Sequence, residues 1–230
     1  MSKMKKLLIA LCAVALSAAV SYAATNPYTA GSGIVNSPHD MTLLDDVPDA
    51  QGRVCAYCHT PHHAEDASLS DYMPLWTKPL TQEVFMPYTS ATLDAVVSLD
   101  VVDGPSRLCM SCHDGVVAYD SYYGKIGNDV LVGDFYNDYA VGTGGILMND
   151  HPIGFNYLDV ATADNEINDA STPFMGSTKG VTIADVLWEG TTFTCASCHD
   201  VHNSANTVMD AYFLYAPQAD SQICRSCHAK

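Results

Sequence analysis

Positive charge is scarce in this chain: 10 Lys and Arg stand against 26 Asp and Glu among 230 residues. Three of the ten, Lys3, Lys5 and Lys6, sit at the N-terminus, so loss of that segment moves the formal charge from −16 to −19. Such a surface repels nucleic-acid phosphates and anionic headgroups, which argues against nucleic-acid binding, and favours cations, basic protein partners or oxidised metal species. Long apolar runs are also lacking. After Leu7 to Val20 nothing is apolar for long enough to cross a bilayer. Cysteine outside one repeated pattern is limited to Cys12, within that run, so no disulfide framework can be drawn.

The N-terminal run is flanked by the three lysines on one side and by Ser21-Tyr22-Ala23 on the other. That is the layout of a secretory signal peptide over residues 1–23, leaving 24–230 as a single domain. A membrane anchor is the competing reading, but the run is shorter than the 18 or more residues of a typical span. Export predicts a secreted protein, extracellular or on the outer cell surface, with the periplasm as the alternative.

The repeated pattern is Cys-x-x-Cys-His, present four times: Cys55 to His59, Cys109 to His113, Cys195 to His199 and Cys224 to His228. At this Cys and His content, chance would supply it roughly 0.01 times. Two thiols three residues apart can form thioethers to the two vinyl groups of one haem, and the next residue then projects over the same macrocycle. Cys55, Cys58, Cys109, Cys112, Cys195, Cys198, Cys224 and Cys227 are therefore the attachment residues for four haem c groups. His59, His113, His199 and His228 are the proximal iron ligands. Two four-thiolate zinc sites are the alternative, but zinc has no need of a His after every second Cys.

Five further histidines remain: His39, His62, His63, His151 and His202. Four irons need four distal imidazoles, so His39, His62, His151 and His202 are assigned to them and His63 is the spare. A methionine ligand at one iron is the alternative and would raise that potential. Saturated irons pass electrons, whereas reduction of a bound substrate needs an open position; this count points away from an enzyme. His62 and His202 each lie three residues beyond a proximal His, too close to reach the far face of the same haem. Each is expected to serve a neighbouring haem. The last motif ends two residues before the end of the sequence, so its distal ligand comes from upstream or from another molecule. His39 is the candidate to bridge subunits, through a head-to-tail contact that need not close.

With about 52 residues per haem, the core must be largely porphyrin. Several hundred Å² of macrocycle buried at ~25 cal/mol per Å² contributes on the order of 10 kcal/mol per haem. Apolar runs are short and broken by proline, so loops with short helices at the attachment sites are expected. The clearest helix start is Gly104-Pro105-Ser106 ahead of Arg107 to His113, with Ser106 placed to cap free amides. Alternation around Val130, Val132 and Phe135, in the long gap between the second and third motifs, suggests a short hairpin or irregular strands.

The fragments GPSRLCMSCHDG, TCASCHDVHN and CAYCHTPHH resemble those of multihaem cytochromes from bacteria that respire on extracellular metals. Four motifs with NSPHDM ahead of the first resemble the OmcE-type tetrahaem c-type cytochromes, which polymerise into extracellular conducting filaments. The resemblance implies a multihaem cytochrome c fold, haem-cored and loop-rich with short helices and little β structure. It further implies bis-His ligation, haems in a continuous stack, and one distal His donated across the subunit boundary. The partners implied are other copies of the chain in a head-to-tail homopolymer, redox proteins, and extracellular acceptors such as metal oxides. A soluble periplasmic tetrahaem shuttle, and a tetrahaem redox enzyme with one open haem, are the other readings.

Overall fold

The computed structural model describes residues 28–44, 49, 51–70, 72–98, 100–132, 139–177, 179–207 and 213–229. The signal segment with Cys12, and Phe135 of the expected hairpin, lie outside the described residues. Regular structure is sparse, as the proline-broken sequence requires. Four short α-helices occur among the described residues: α1 (Pro105–His113), α2 (Tyr157–Ala163), α3 (Ile183–Val186) and α4 (Gln222–Cys227). Strands β1 (Phe155–Asn156) and β2 (Thr192–Phe193) pair antiparallel, with Phe155 opposite Phe193. The second and fourth motifs ride on α1 and α4. The first and third ride on 3₁₀ turns, Val54–Tyr57 and Cys195–Ser197. No helix among the described residues is long and apolar enough to cross a membrane.

Local chemistry sets each boundary. Pro105 opens α1 because its missing N–H would go unused in the first turn, and its fixed φ suits a helix. Gly104 precedes it at φ +57°, where a Cβ would stand 2.8 Å from the Trp188 indole nitrogen. Only glycine fits there without strain. Ser106 does not cap α1 as expected. It is fully buried, and its hydroxyl instead accepts the Cys195 N–H at 3.1 Å, joining the second motif to the third. Asn156 caps α2 through its side-chain oxygen, and Thr182 with Asp185 forms a reciprocal capping box on α3.

Side chains do not form one core. Four clusters of buried residues appear among the described residues. The largest gathers Phe155, Tyr157, Phe174, Ile183 and Phe193 in the C-terminal half. The smallest holds two buried rings, Tyr57 and Tyr122. A chain of this length would ordinarily bury a continuous apolar centre. Here residues of every attachment motif belong to a cluster or pack against one, Tyr57, Met110, Cys198 and Cys227 among them. This is the loop-rich architecture, short in helix and poor in sheet, that the sequence implied.

The expected hairpin in the long gap is not formed by its described residues. One carboxylate closes the loop instead: Asp120 accepts the N–H groups of Asn128 and Asp129, both at 2.9 Å, while Tyr119 N–H reaches Asp129 O at 2.8 Å. Val132 is left 76% exposed. Alternating valines need an apolar face to bury against, and none is offered there.

The Ser106 contact gives a direct stability test. Ser106→Ala leaves the Cys195 N–H without its acceptor and should cost about 1–3 kcal/mol. Gly104→Ala should also destabilise, because φ is positive and the indole is in the way. Denaturant unfolding of the haem-loaded protein measures both.

Candidate haem-binding site

Each motif winds a single turn. The amide of the proximal histidine donates to the carbonyl of the first cysteine four residues back, at 2.9 Å for His59, 3.1 Å for His199 and 3.0 Å for His228. His113 closes the same turn within α1. A turn of this pitch puts the first sulfur and the imidazole on adjoining sides of one strip of backbone.

A second device then fixes the direction of the imidazole. Around His59, Thr60 N–H donates to Leu75 O (2.9 Å) and Thr77 N–H to Cys58 O (3.1 Å). Around His199, Asp200 N–H donates to Phe213 O (2.6 Å) and Tyr215 N–H to Cys198 O (3.1 Å). Around His228, Ala229 N–H donates to Glu166 O (2.7 Å) and Asn168 N–H to Cys227 O (2.8 Å). The peptide groups on both sides of the histidine are thus clamped to a returning segment, as single antiparallel bridges to Trp76, Leu214 and Ile167. Leu75 and Phe213 take φ of +55° and +60° at equivalent places. Side chains rarely adopt that conformation, so the clamp over-determines it.

These parallels reveal an internal duplication that reading the sequence for motifs had missed. Ser106 to His113 reads SRLCMSCH and Ser221 to His228 reads SQICRSCH; Leu75 to Pro79 reads LWTKP and Phe213 to Pro217 reads FLYAP. Ser111 and Ser226 take the same role: their hydroxyls accept from Trp76 Nε1 (3.0 Å) and Met175 N–H (2.8 Å). The residue after the proximal histidine turns the chain in both halves. Thr60 Oγ1 accepts His62 N–H at 3.3 Å, and Asp200 Oδ1 accepts His202 N–H at 3.0 Å. The first two motifs therefore repeat the last two. Uneven separations of 54, 86 and 29 residues between first cysteines hid the repeat.

All nine histidines lie among the described residues, and six of them meet in pairs. His59 faces His202 with ring centroids 6.2 Å apart, His113 faces His39 at 6.0 Å, and His228 faces His151 at 6.3 Å. With metal–imidazole bonds of about 2.0 Å, two imidazoles trans across one metal place their centroids roughly 6 Å apart. The pairs fit a bis-imidazole iron. Tautomers agree, because Nδ1–H of His59 donates to Pro74 O at 2.7 Å, that of His151 to Pro152 O at 2.9 Å, and that of His113 to Tyr139 O. Each leaves Nε2 free to ligate. Burial, with smaller contributions from His113 and His199, lowers the His39 pKa to about 4, so it is neutral as a ligand must be.

The remaining three histidines are not paired in this way. His199 has no imidazole against its ring among the described residues, and burial lowers its pKa. His62 and His63 are exposed, His63 at φ +62° with its ring edge-on to Tyr123. His39, the candidate bridge between subunits, lies inside the described chain. Its ring stacks on Phe213 at 4.8 Å and faces His113 within the same chain.

Burial pushes the Cys58 and Cys198 thiols up to about 12 and raises Cys112 and Cys227. Among the described residues no three or more His, Cys, Asp or Glu converge as a closed metal cage, so the two zinc sites find no support. Paired imidazoles with adjacent thiol pairs suit a porphyrin that brings its own four nitrogens. Neighbouring motifs also lie near one another in sequence order. Cys58 is close enough to Cys112 to feel its charge, Cys109 hydrogen-bonds with Cys195, and Cys198 feels Cys227. Asp114, fully buried after His113, accepts Val116 and Val117 N–H at 2.9 Å with one oxygen; its other oxygen has no partner among the described residues.

The pairing makes a spectroscopic prediction. In haem-loaded protein, His39→Ala should turn one haem, the one at Cys109 to His113, from low-spin to high-spin, and His202→Ala should do so at Cys55 to His59. Electron paramagnetic resonance of the two variants reads the result.

Residues 189–230 match the profile of the family described as the doubled CXXCH motif, which covers the third and fourth motifs. Comparison with curated proteins gives no match. The doubled motif is the mark of multihaem c-type cytochromes, and with the fitting geometry above it indicates covalently bound haem c and a role in electron transfer.

Proposed function

We infer that the protein is a secreted electron carrier holding four haem c groups, one on each motif, and that copies join head to tail into an extracellular filament serving external acceptors such as metal oxides. The observation that carries the reading is the proximity of motif to motif in sequence order, together with three imidazole pairs and one proximal histidine left over. Haem c supplies a one-electron ferric/ferrous couple. The chain's part is to hold the sites in line, aim the ligating imidazoles and limit water around them. Irons ligated on both faces relay electrons without binding substrate, so the protein is not read as an enzyme.

His62 of the next subunit is assigned as the sixth ligand opposite His199. Two observations favour it. It is the duplicate of His202, three residues past a proximal histidine and held by the same side-chain turn, and it is exposed. His63 beside it is the spare. Apolar side chains such as Val84, Val96 and Ile126, 84–94% exposed, are available to offset the repulsion between strongly acidic copies. Redox proteins that load the filament would meet the same acidic surface, which selects basic partners.

The unpaired His199 also keeps a second reading in play, a redox enzyme working at that one open haem, and a third, a soluble shuttle that closes the site internally. Spin state and electron microscopy together separate the three. The filament reading expects isolated subunits with one high-spin haem in four, polymers with none, and loss of polymers in His62→Ala. A high-spin haem that persists in the assembled protein favours the enzyme. Monomers that are fully low-spin at high concentration favour the shuttle.

A further inference from the structure

The two halves of the duplicated scaffold differ in buried charge, the first holding Lys78 and Asp114 where the second has Ala216 and Ala229. Lys78 occupies the position that Ala216 holds in the second half, and both are essentially without exposure, at 1% and 0%. Lys78 Nζ donates to the backbone carbonyls of Tyr119 and Ser121, and no carboxylate pairs with it among the described residues. Arg53, Arg107 and Lys179 each hold an aspartate, while Lys125 and Arg225 are at the surface. Lys78 is thus a buried, uncompensated cation in an acidic protein. Desolvating an ammonium is costly, and two carbonyl hydrogen bonds repay only part of it. A methionine or leucine would fill the same place without that cost.

The ammonium is set against the first motif. Thr77, its chain neighbour, donates N–H to Cys58 O at 3.1 Å and accepts Tyr123 N–H on its hydroxyl at 2.7 Å, which ties the first motif to the loop that holds Nζ. Tyr57, inside the first motif, packs its ring against Tyr122 of that same loop with centroids 4.3 Å apart. At the third motif, the counterpart of the first, the residue after the histidine is Asp200, and that carboxylate is paired with Lys179.

We propose that Lys78 is an electrostatic positioning residue that raises the reduction potential of the haem on Cys55 to His59 above that of its duplicate on Cys195 to His199. Reduction adds one electron at the iron, supplied by the adjoining haem, with no bond made or broken and no proton required. A fixed positive charge nearby stabilises the added negative charge. At an effective dielectric of ~20 and a separation of ~10 Å, the interaction is large enough to alter the ferrous-to-ferric ratio by about tenfold. The electron would then rest preferentially at the first motif, giving a chain of otherwise similar sites a direction. This rests on the reading of the motifs as haem sites.

The test is a redox titration of the full haem-loaded protein, followed by nuclear magnetic resonance with the haem signals assigned individually. In Lys78→Met the first haem should lose about tenfold in ferrous-to-ferric ratio at fixed potential, equivalent to 59 mV for one electron. The third and fourth haems should not move, and Lys78→Arg should restore the original value. Lys78→Gln, which keeps a donor for the carbonyls, should behave as the methionine does. Four haems by pyridine haemochrome with an unshifted first haem in either neutral variant overturns the proposal while leaving electron transfer intact. Absence of haem from the native protein overturns both. If neither neutral variant takes up haem, the native order decides, and a first haem below the third refutes the assignment.

Discussion

Two backbone hydrogen bonds, one on each side of a proximal histidine, are the constraint on which the remaining structure depends. The turn of Cys-x-x-Cys-His alone could swing as a unit on its flanking loops. Once the carbonyl before the histidine and the amide after it are committed to a returning segment, the imidazole has a single direction. That is why so little helix or sheet is needed. Precision resides in three small clamps and one helix, and the side-chain clusters fill the space between them. The cost is visible in Leu75 and Phe213, both held in left-handed backbone to complete the clamp.

Much of this was legible in the residues. The attachment cysteines and proximal histidines follow from covalent chemistry within five positions, and proline-broken apolar runs cannot make long elements. Distal partners were harder, because pairing His59 with His202 or His228 with His151 depends on contacts between distant parts of the chain. The reading of His39 as a bridge came from its place ahead of the first motif; its contacts with Phe213 and His113 come from parts of the chain that sequence alone does not bring together. Ser106 carried a sound local signal for a cap, overridden when a buried amide on another motif took its hydroxyl. The duplication was present in SRLCMSCH and SQICRSCH throughout. Unequal spacing concealed it, and the shared hydrogen bonds exposed it.

Repetition also explains where the halves part company. Equivalent clamps place equivalent ligands, so differences in behaviour must come from what has been exchanged around them. Lysine for alanine at positions 78 and 216, and threonine for aspartate at positions 60 and 200, alter the electrostatics and leave the backbone pattern alone. Charge is the cheaper variable for a relay whose geometry is already fixed.

The clamps have a further consequence for how such a chain can change over time. Because each one pins two points that are close in space, the stretch running out and back between them is free to differ in length, as it does between Thr60 and Leu75 and between Asp200 and Phe213. Closing a longer loop adds only a few tenths of a kcal/mol for modest insertions. Spacing along the polymer is thereby uncoupled from spacing between cofactors. New surface can be inserted between wired positions without lengthening the wire.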